Sequence, residues 1–469
     1  MKLPSSIAGG WIYPLQERVF GRPTFGYLAA LEHSQRLPRA GIEALQLEKL
    51  RALLVSAHAH SPWHRRRLDE AGLRPERLAS LAELQALPLM GKQDASAHRD
   101  QLVWPGVPGG AFKYNTGGSS GQPLIFHFGR ARQASDAAGR MRARRWWGVE
   151  PGQAEVYLWG APVELNKTDW VKTVRDRLIN QLVLNAFAMS PASMDRYLDA
   201  ITAFRPSCLY GYASSVALLA AHAQERKRRL HLPGLKVVCT TGEPLYAHQR
   251  ALIGEVFGVP VANEFGSRDI GFTAHETPEG QLLLMSESIV LEVLDEAGQA
   301  VKPGEMGEAV MTGLCSDAQP FIRYRTGDMV RLGTEPDRAG RGLHVIDEVV
   351  GRSTDFLVRA DGTMMHALAG IYVLRATPGV AEFKLVQRDL RDLDVQVVPD
   401  PRWTEASAQA IEAGLRQRLG SEVRVNVRVV EQIAPEASGK HRYVVSHVPL
   451  AGQLGRATST TQQNATIKA

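Results

Sequence analysis

The chain has 469 residues, of which 55 are basic and 49 acidic, for a net charge of +6. Hydrophobic residues make up 44% and charged residues 22%, which excludes a disordered chain and allows a core large enough for more than one domain. The mild positive balance suits anionic small molecules such as nucleotides and makes no demand for nucleic acid. The arginine runs at 140–145 and 226–229 read as solvated helix faces, since neither sits in a groove-reading or aromatic-stacking motif. Cys208, Cys239 and Cys315 are too far apart for a zinc site or a disulfide framework, so the expectation is a reducing compartment, the cytoplasm. The N-terminal MKLPSSIAGGWIYPL lacks the apolar core of a signal peptide. No uninterrupted apolar window approaches the roughly eighteen residues of a membrane span.

Residues 41–100 read as helices, with a stripe through Ile42, Leu45, Leu47, Leu50, Leu53, Leu54 and Ala57. They close on LPLMGKQD (87–94), where Pro88 and Gly91 interrupt the pattern. Next comes TGGSSGQP (Thr116 to Pro123), between Tyr114 and the apolar run Leu124, Ile125, Phe126. Glycines let a backbone approach a ligand closely, and successive N–H groups in such a turn can cradle an anion. The alternative is a plain hairpin connection. The segment lacks the Gly-Lys-Ser/Thr ending of a Walker loop, so a bound phosphate would need its cation from elsewhere in the chain.

A helix is expected over 131–147. Beyond 154 the pattern alternates, with strands at 155–160, 208–212, 235–243 and 259–266 and helices at 194–204, 214–229 and 246–257. That rhythm predicts a parallel sheet with crossover helices, with ligands at the carboxyl ends of its strands. Tyr210-Gly-Tyr212, Thr240-Thr-Gly-Glu243 and Asn263-Glu-Phe265-Gly266 all fall there. After Leu282 the alternation and the Gly/Pro turns predict a small antiparallel sheet or barrel. A Gly351-Arg352 turn opens a last α+β part with a helix at 405–419. Residues 450–469 are polar and pattern-free, and are expected to be disordered.

Four short motifs follow the glycine-rich loop: FGSRD (265–269), RYRTGD (323–328), GRSTD (351–355) and SGKHR (438–442). In this order they resemble the adenylate-forming superfamily, and in detail its phenylacetate–CoA ligase and CapK-like branch. The resemblance covers most of residues 40–445. It implies an α/β chain in which residues 1–350 hold ATP and acid and a small mobile α+β domain at 351–449 acts as a lid. It implies attack of a carboxylate on the α-phosphate of ATP, then transfer of the acyl group to coenzyme A. An amine or a carrier-protein thiol as acceptor, an adenylyltransferase, and a degenerate nucleotide-binding protein are the alternatives.

By resemblance, Thr116, Gly117, Gly118, Ser119, Ser120 and Gly121 would hold the outer phosphates. Lys440 would supply the missing cation at the reacting carboxylate and α-phosphate. Gly242, Glu243 and Pro244 would lie along the adenine, with Asn263 reading its amino group and Phe265-Gly266 against its face. Asp328 would take the ribose hydroxyls, Arg352 would approach ribose or phosphate, and Asp269 would ligate Mg²⁺. Two residues depart from the family pattern. Asp269 stands where Glu is usual, and Thr354, followed by Asp355, stands at the hinge where a carboxylate is usual. Tyr210, Tyr212 and His127 are candidates for the acyl pocket, and a homodimer is expected by resemblance.

Overall fold

The computed structural model describes residues 2–115, 124–160, 167–186, 189–243, 245, 247–295, 297–350, 356–359, 361, 364–431, 433 and 444–448. The expected disordered segment at 450–469 lies outside them.

A hairpin of β1 (Phe112–Asn115) and β2 (Ile125–Phe128) flanks the glycine-rich segment. Then follow β3 (Glu155–Trp159), β4 (Gln181–Asn185), β5 (Cys208–Tyr212), β6 (Val237–Thr241) and β7 (Val261–Ser267), all paired parallel. Every residue of β5 and β6 is buried, as in a parallel sheet covered on both faces. Helices Pro191–Phe204, Ala213–Glu225 and Ala247–Phe257 carry the chain between these strands. Each lies within a few residues of its predicted bounds.

The antiparallel strands expected after Leu282 are present, and they extend the same sheet. β8 (Gly271–Glu276), β9 (Leu282–Leu284), β10 (Ile289–Leu294), β11 (Met306–Gly313), β12 (Tyr324–Leu332) and β13 (Val345–Val350) complete an eleven-stranded order, β10-β11-β12-β13-β9-β8-β7-β6-β5-β3-β4. The change from parallel to antiparallel pairing falls between β7 and β8. The C-terminal stretch has a hairpin, β14 (Phe356–Val358) and β15 (Met364–His366), and a four-stranded sheet. The latter runs β18 (Arg424–Val429), β17 (Asp392–Pro399), β16 (Val380–Gln387), β19 (Val444–Ser446). Helix Glu405–Leu419 has its predicted bounds and buries Ile411, Leu415 and Leu419, one turn apart. No helix among the described residues is long and apolar enough to cross a membrane.

One expectation is corrected. The arginines at 140–145 do not form a solvated face. Helix Arg130–Trp146 is covered by the N-terminal helix Thr24–Ser34 on one side and strand β8 on another. Its arginines therefore need buried partners. Arg142 and Glu287 are both fully buried and paired, and the Ser34 hydroxyl donates to the same carboxylate at 2.8 Å. Arg144 pairs with Glu155 at 2.8 Å.

The early helices are tied to the sheet by a neutral histidine. His64 Nδ1 lies 3.0 Å from the Arg67 guanidinium, an obligate donor, so Nδ1 accepts. Nε2 then carries the proton and donates to the Pro320 carbonyl at 3.0 Å. Burial, with Arg67 adding to it, pushes the ring down to about 3. Burial also pushes His344 down to about 4. Unfolded histidines bind a proton near pH 6.5, whereas these two do not bind one when folded. Stability should therefore fall as pH drops from about 6.5 toward 4, by up to ~1.4 kcal/mol per pH unit for each group. Urea unfolding at pH 7 and pH 5 checks this, and His64→Asn should shrink the difference between the two.

Candidate active site

The chain runs from β3 outward to β4, then returns to lay β5 on the other side of β3. In an open α/β sheet such a reversal leaves a crevice at the carboxyl ends of the strands. Trp159 ends β3 and Tyr212 ends β5, and their rings stack at 4.3 Å with 13° between planes. Gly242 follows β6 with φ +77°, a left-handed conformation that favours glycine. A Cβ there would come within 3.2 Å of the Tyr212 ring. Tyr212 and Gly242 are thus neighbours at the ends of β5 and β6.

Beneath this aromatic pair lies a buried polar cluster. Glu264 Oε1 accepts from the Tyr210 hydroxyl at 2.9 Å and the Thr241 hydroxyl at 3.1 Å, with Arg140 Nε at 3.6 Å. Burial raises the Tyr210 hydroxyl above its ordinary value, and the carboxylate raises it further. Burial lowers the Arg140 guanidinium, but Glu264, Tyr210 and Asp136 together outweigh it and the net shift is upward. Tyr210 therefore serves as a donor to Glu264, while Tyr212 presents its ring at the strand end.

Side chains alternate along β7, so Asn263 and Phe265 face away from Glu264. The Asn263 amide N–H donates to Glu276 at 2.8 Å, and Arg250 holds that carboxylate at 2.8 Å. Asn263 Oδ1 is buried and accepts no hydrogen bond among the described residues. Phe265 is partly buried, and the bulge after it places Gly266 so close to β8 that a Cβ would lie 2.7 Å from the Gly271 carbonyl.

Asp269 is joined to the RYRTGD segment. Its Oδ2 accepts from the Tyr324 hydroxyl at 2.8 Å, and its backbone carbonyl accepts from Arg132 at 3.0 Å. Arg132 is in turn held by Asp136 at 3.1 Å. Arg323 has φ +53° and pairs with Glu292 at 2.9 Å. Met90 pairs through its backbone with Arg323 and Arg325, both at 2.9 Å, so this segment is pinned to the end of the early helices. Asp328 lies farther along β12, partly buried, its N–H donating to Thr326 Oγ1 at 3.2 Å.

Two expected positions have contacts of their own. Glu243 Oε2 accepts from the Ser214 N–H at 3.0 Å and from the Ser214 hydroxyl. The carboxylate thus satisfies the N-terminus of helix Ala213–Glu225, where a negative charge is favoured. His127 sits on β2, its N–H donating to Gln319 at 2.9 Å. Burial pushes its ring below the ordinary value. Thr116 through Gly121, Pro244, Arg352, Thr354, Asp355 and Lys440 lie outside the described residues.

Sequence reading missed Arg140, Glu264, Trp159 and Tyr324. The signal for Glu264 was a charge inside a strand otherwise read as buried, which demands a partner. The partner, on a helix far earlier in the chain, had no local signal. Among the described residues, no three His, Cys, Asp or Glu side chains form a metal cluster.

Residues 357–447 match the family model of the CapK C-terminal domain. Among curated proteins, the chain is 26% identical over 435 residues to a phenylacetate-coenzyme A ligase of Thermus thermophilus, covering 85% of this chain and 93% of the relative. It is 22% identical over 375 residues to Protein CapK of Staphylococcus aureus, covering 79% and 81%. Among solved structures, a 2-hydroxyisobutyryl-CoA ligase in complex with 2-HIB-AMP and CoA superposes with a TM-score of 0.59 at 22% identity, covering 92% of this chain and 94% of that one. That likeness is one of fold.

Tyr210→Phe removes one of the hydroxyl donors to Glu264. It should lower the unfolding free energy by roughly 1.5–3 kcal/mol, the range for a hydrogen bond to a charged group, as measured by urea denaturation.

Proposed function

We propose that this chain, a member of the phenylacetate–CoA ligase and CapK-like branch of the adenylate-forming superfamily, activates an organic acid with ATP and passes the acyl group to coenzyme A. In the first step a carboxylate oxygen bonds to the α-phosphorus and pyrophosphate leaves. In the second, a thiolate displaces AMP from the acyl carbon. An aryl or related acid fits the Trp159–Tyr212 stack at the strand ends.

The observation that carries the reading is Asn263 Oδ1. It is a buried acceptor with no partner among the described residues, beside the Phe265 ring at the end of β7. The amino group of an adenine stacked on Phe265 is the donor it lacks. Gly242 to Pro244 would run along the base through their backbone, and the cap made by the Glu243 carboxylate would hold that turn. Gly266, packed against β8, would leave room beside the ring. Asp328 would accept from the ribose hydroxyls, with Arg352 near ribose or phosphate. Thr116 to Gly121 would hold the β- and γ-phosphates.

The reaction brings two anions together, so it needs a cation at the point of contact. Lys440 would supply it from the lid at 351–449, which pivots near Thr354 and Asp355. Mg²⁺ fits Asp269, whose carboxylate is oriented by Tyr324. An ion held there would be bound through one or two carboxylates and substrate phosphates, as Mg²⁺ usually is. When bound, the ion would neutralise phosphate charge. Three buried thiols suit the reducing cytoplasm.

Acid-dependent exchange of labelled pyrophosphate into ATP tests the reading. A panel of aryl and short-chain acids should contain at least one that supports exchange. Lys440→Ala should lower the rate by about two to three orders of magnitude, and Asp328→Ala should raise the KM for ATP. Exchange with no acid, or exchange indifferent to Lys440→Ala, would contradict it.

A further inference from the structure

The first helix of the chain is mounted with its apolar face outward. It runs without a break from Ser5 to Val19, through a π-helical turn at Ala8–Ile12, and spans about 22 Å. Ile7, Trp11, Leu15 and Val19 recur every four residues and are 45%, 77%, 62% and 74% exposed; Phe20 beside them is 38% exposed. A helix whose only outer neighbour is water carries polar residues on that side.

The helix cannot roll to hide this stripe. Its inner face meets the protein backbone to backbone at Gly9, where a Cβ would come 1.9 Å from the Pro151 carbonyl. Asn180 brackets its start, accepting from the Leu3 N–H at 2.9 Å and donating to the Leu3 carbonyl at 2.8 Å. Tyr13 packs edge-on against Phe25 at 5.7 Å, and buried Glu17 takes the Thr24 hydroxyl and the Arg22 guanidinium.

Within residues 1–31 the exposed charges have one sign. Glu17 is the single acid in residues 1–31, and it is buried and paired with Arg22. Arg18 is exposed at one end of the helix. At the other end Lys2 and Arg177 both stand over the Phe204 ring, at 5.5 and 5.3 Å, and Lys2 also donates to the Arg205 carbonyl.

We infer that this face seats the protein on an anionic lipid surface. The helix lies in the headgroup plane, Trp11 and Leu15 enter the acyl boundary, and Lys2, Arg18 and their neighbours meet lipid phosphates. A second copy is the poorer occupant. Its equivalent face would bring like charges together.

Full-length protein should sediment with vesicles of phosphatidylglycerol and phosphatidylcholine, and much less with phosphatidylcholine alone. The double variant Trp11→Ser, Leu15→Ser should weaken binding by about tenfold or more while keeping the wild-type melting temperature. Arg18→Glu, which leaves the apolar stripe intact, should weaken binding to the anionic vesicles alone. No sedimentation with anionic vesicles, or equal binding by both variants, would overturn the inference. So would a dimer in sedimentation velocity that the double variant dissociates, since the face would then belong to a second copy.

Discussion

Glu264 is the group on which the arrangement at the strand ends depends. Its carboxylate is buried, and a charge in that position is tolerated only when donors surround it. The donors come from three other elements: Tyr210 from β5, Thr241 from β6 and Arg140 from the long helix over the sheet. Satisfying one carboxylate thus sets the relative positions of three neighbouring strands and one helix. Because side chains alternate, the same constraint turns Asn263 and Phe265 to the opposite face. The Trp159–Tyr212 stack covers the next level up, at the crevice where the strand order reverses.

A second set of ties holds the RYRTGD segment against this frame. Tyr324 reaches Asp269, Arg323 reaches Glu292, and Met90 pairs with the backbone on either side of Tyr324. The early helices, linked through His64 to Pro320, therefore brace the segment that carries Asp328. In the proposed chemistry the large domain presents ATP and acid as two anions held close. The cation would arrive on a separate domain, so adenylation would be coupled to lid position.

Much of this was legible in the sequence wherever a local pattern carried it. The apolar runs at β5, β6 and β7, the amphipathic stripe of Glu405–Leu419 and the Gly-rich turns after strands each have a short-range cause. The eleven-stranded continuity was not legible, because joining β8 to β7 requires knowing which edge is free. Arg142 and Arg144 were misread for a similar reason. A basic run looks solvated until Glu287, far along the chain, and Glu155, on the next strand, are seen to neutralise it. Glu243 shows the same limit: its carboxylate serves the neighbouring helix, a contact with no local signal in the motif. The outward stripe of the first helix was not noticed in sequence, since a period of four does not say which way it faces.

The most direct measurement is of the intermediate itself. The protein is mixed with ATP and an aryl acid in the absence of any thiol, quenched, and analysed by mass spectrometry. The account predicts acyl-adenylate and pyrophosphate in equal amounts, close to one per protein, and formed only when the acid is present. Formation of ADP and phosphate, or of AMP without dependence on the acid, would contradict it.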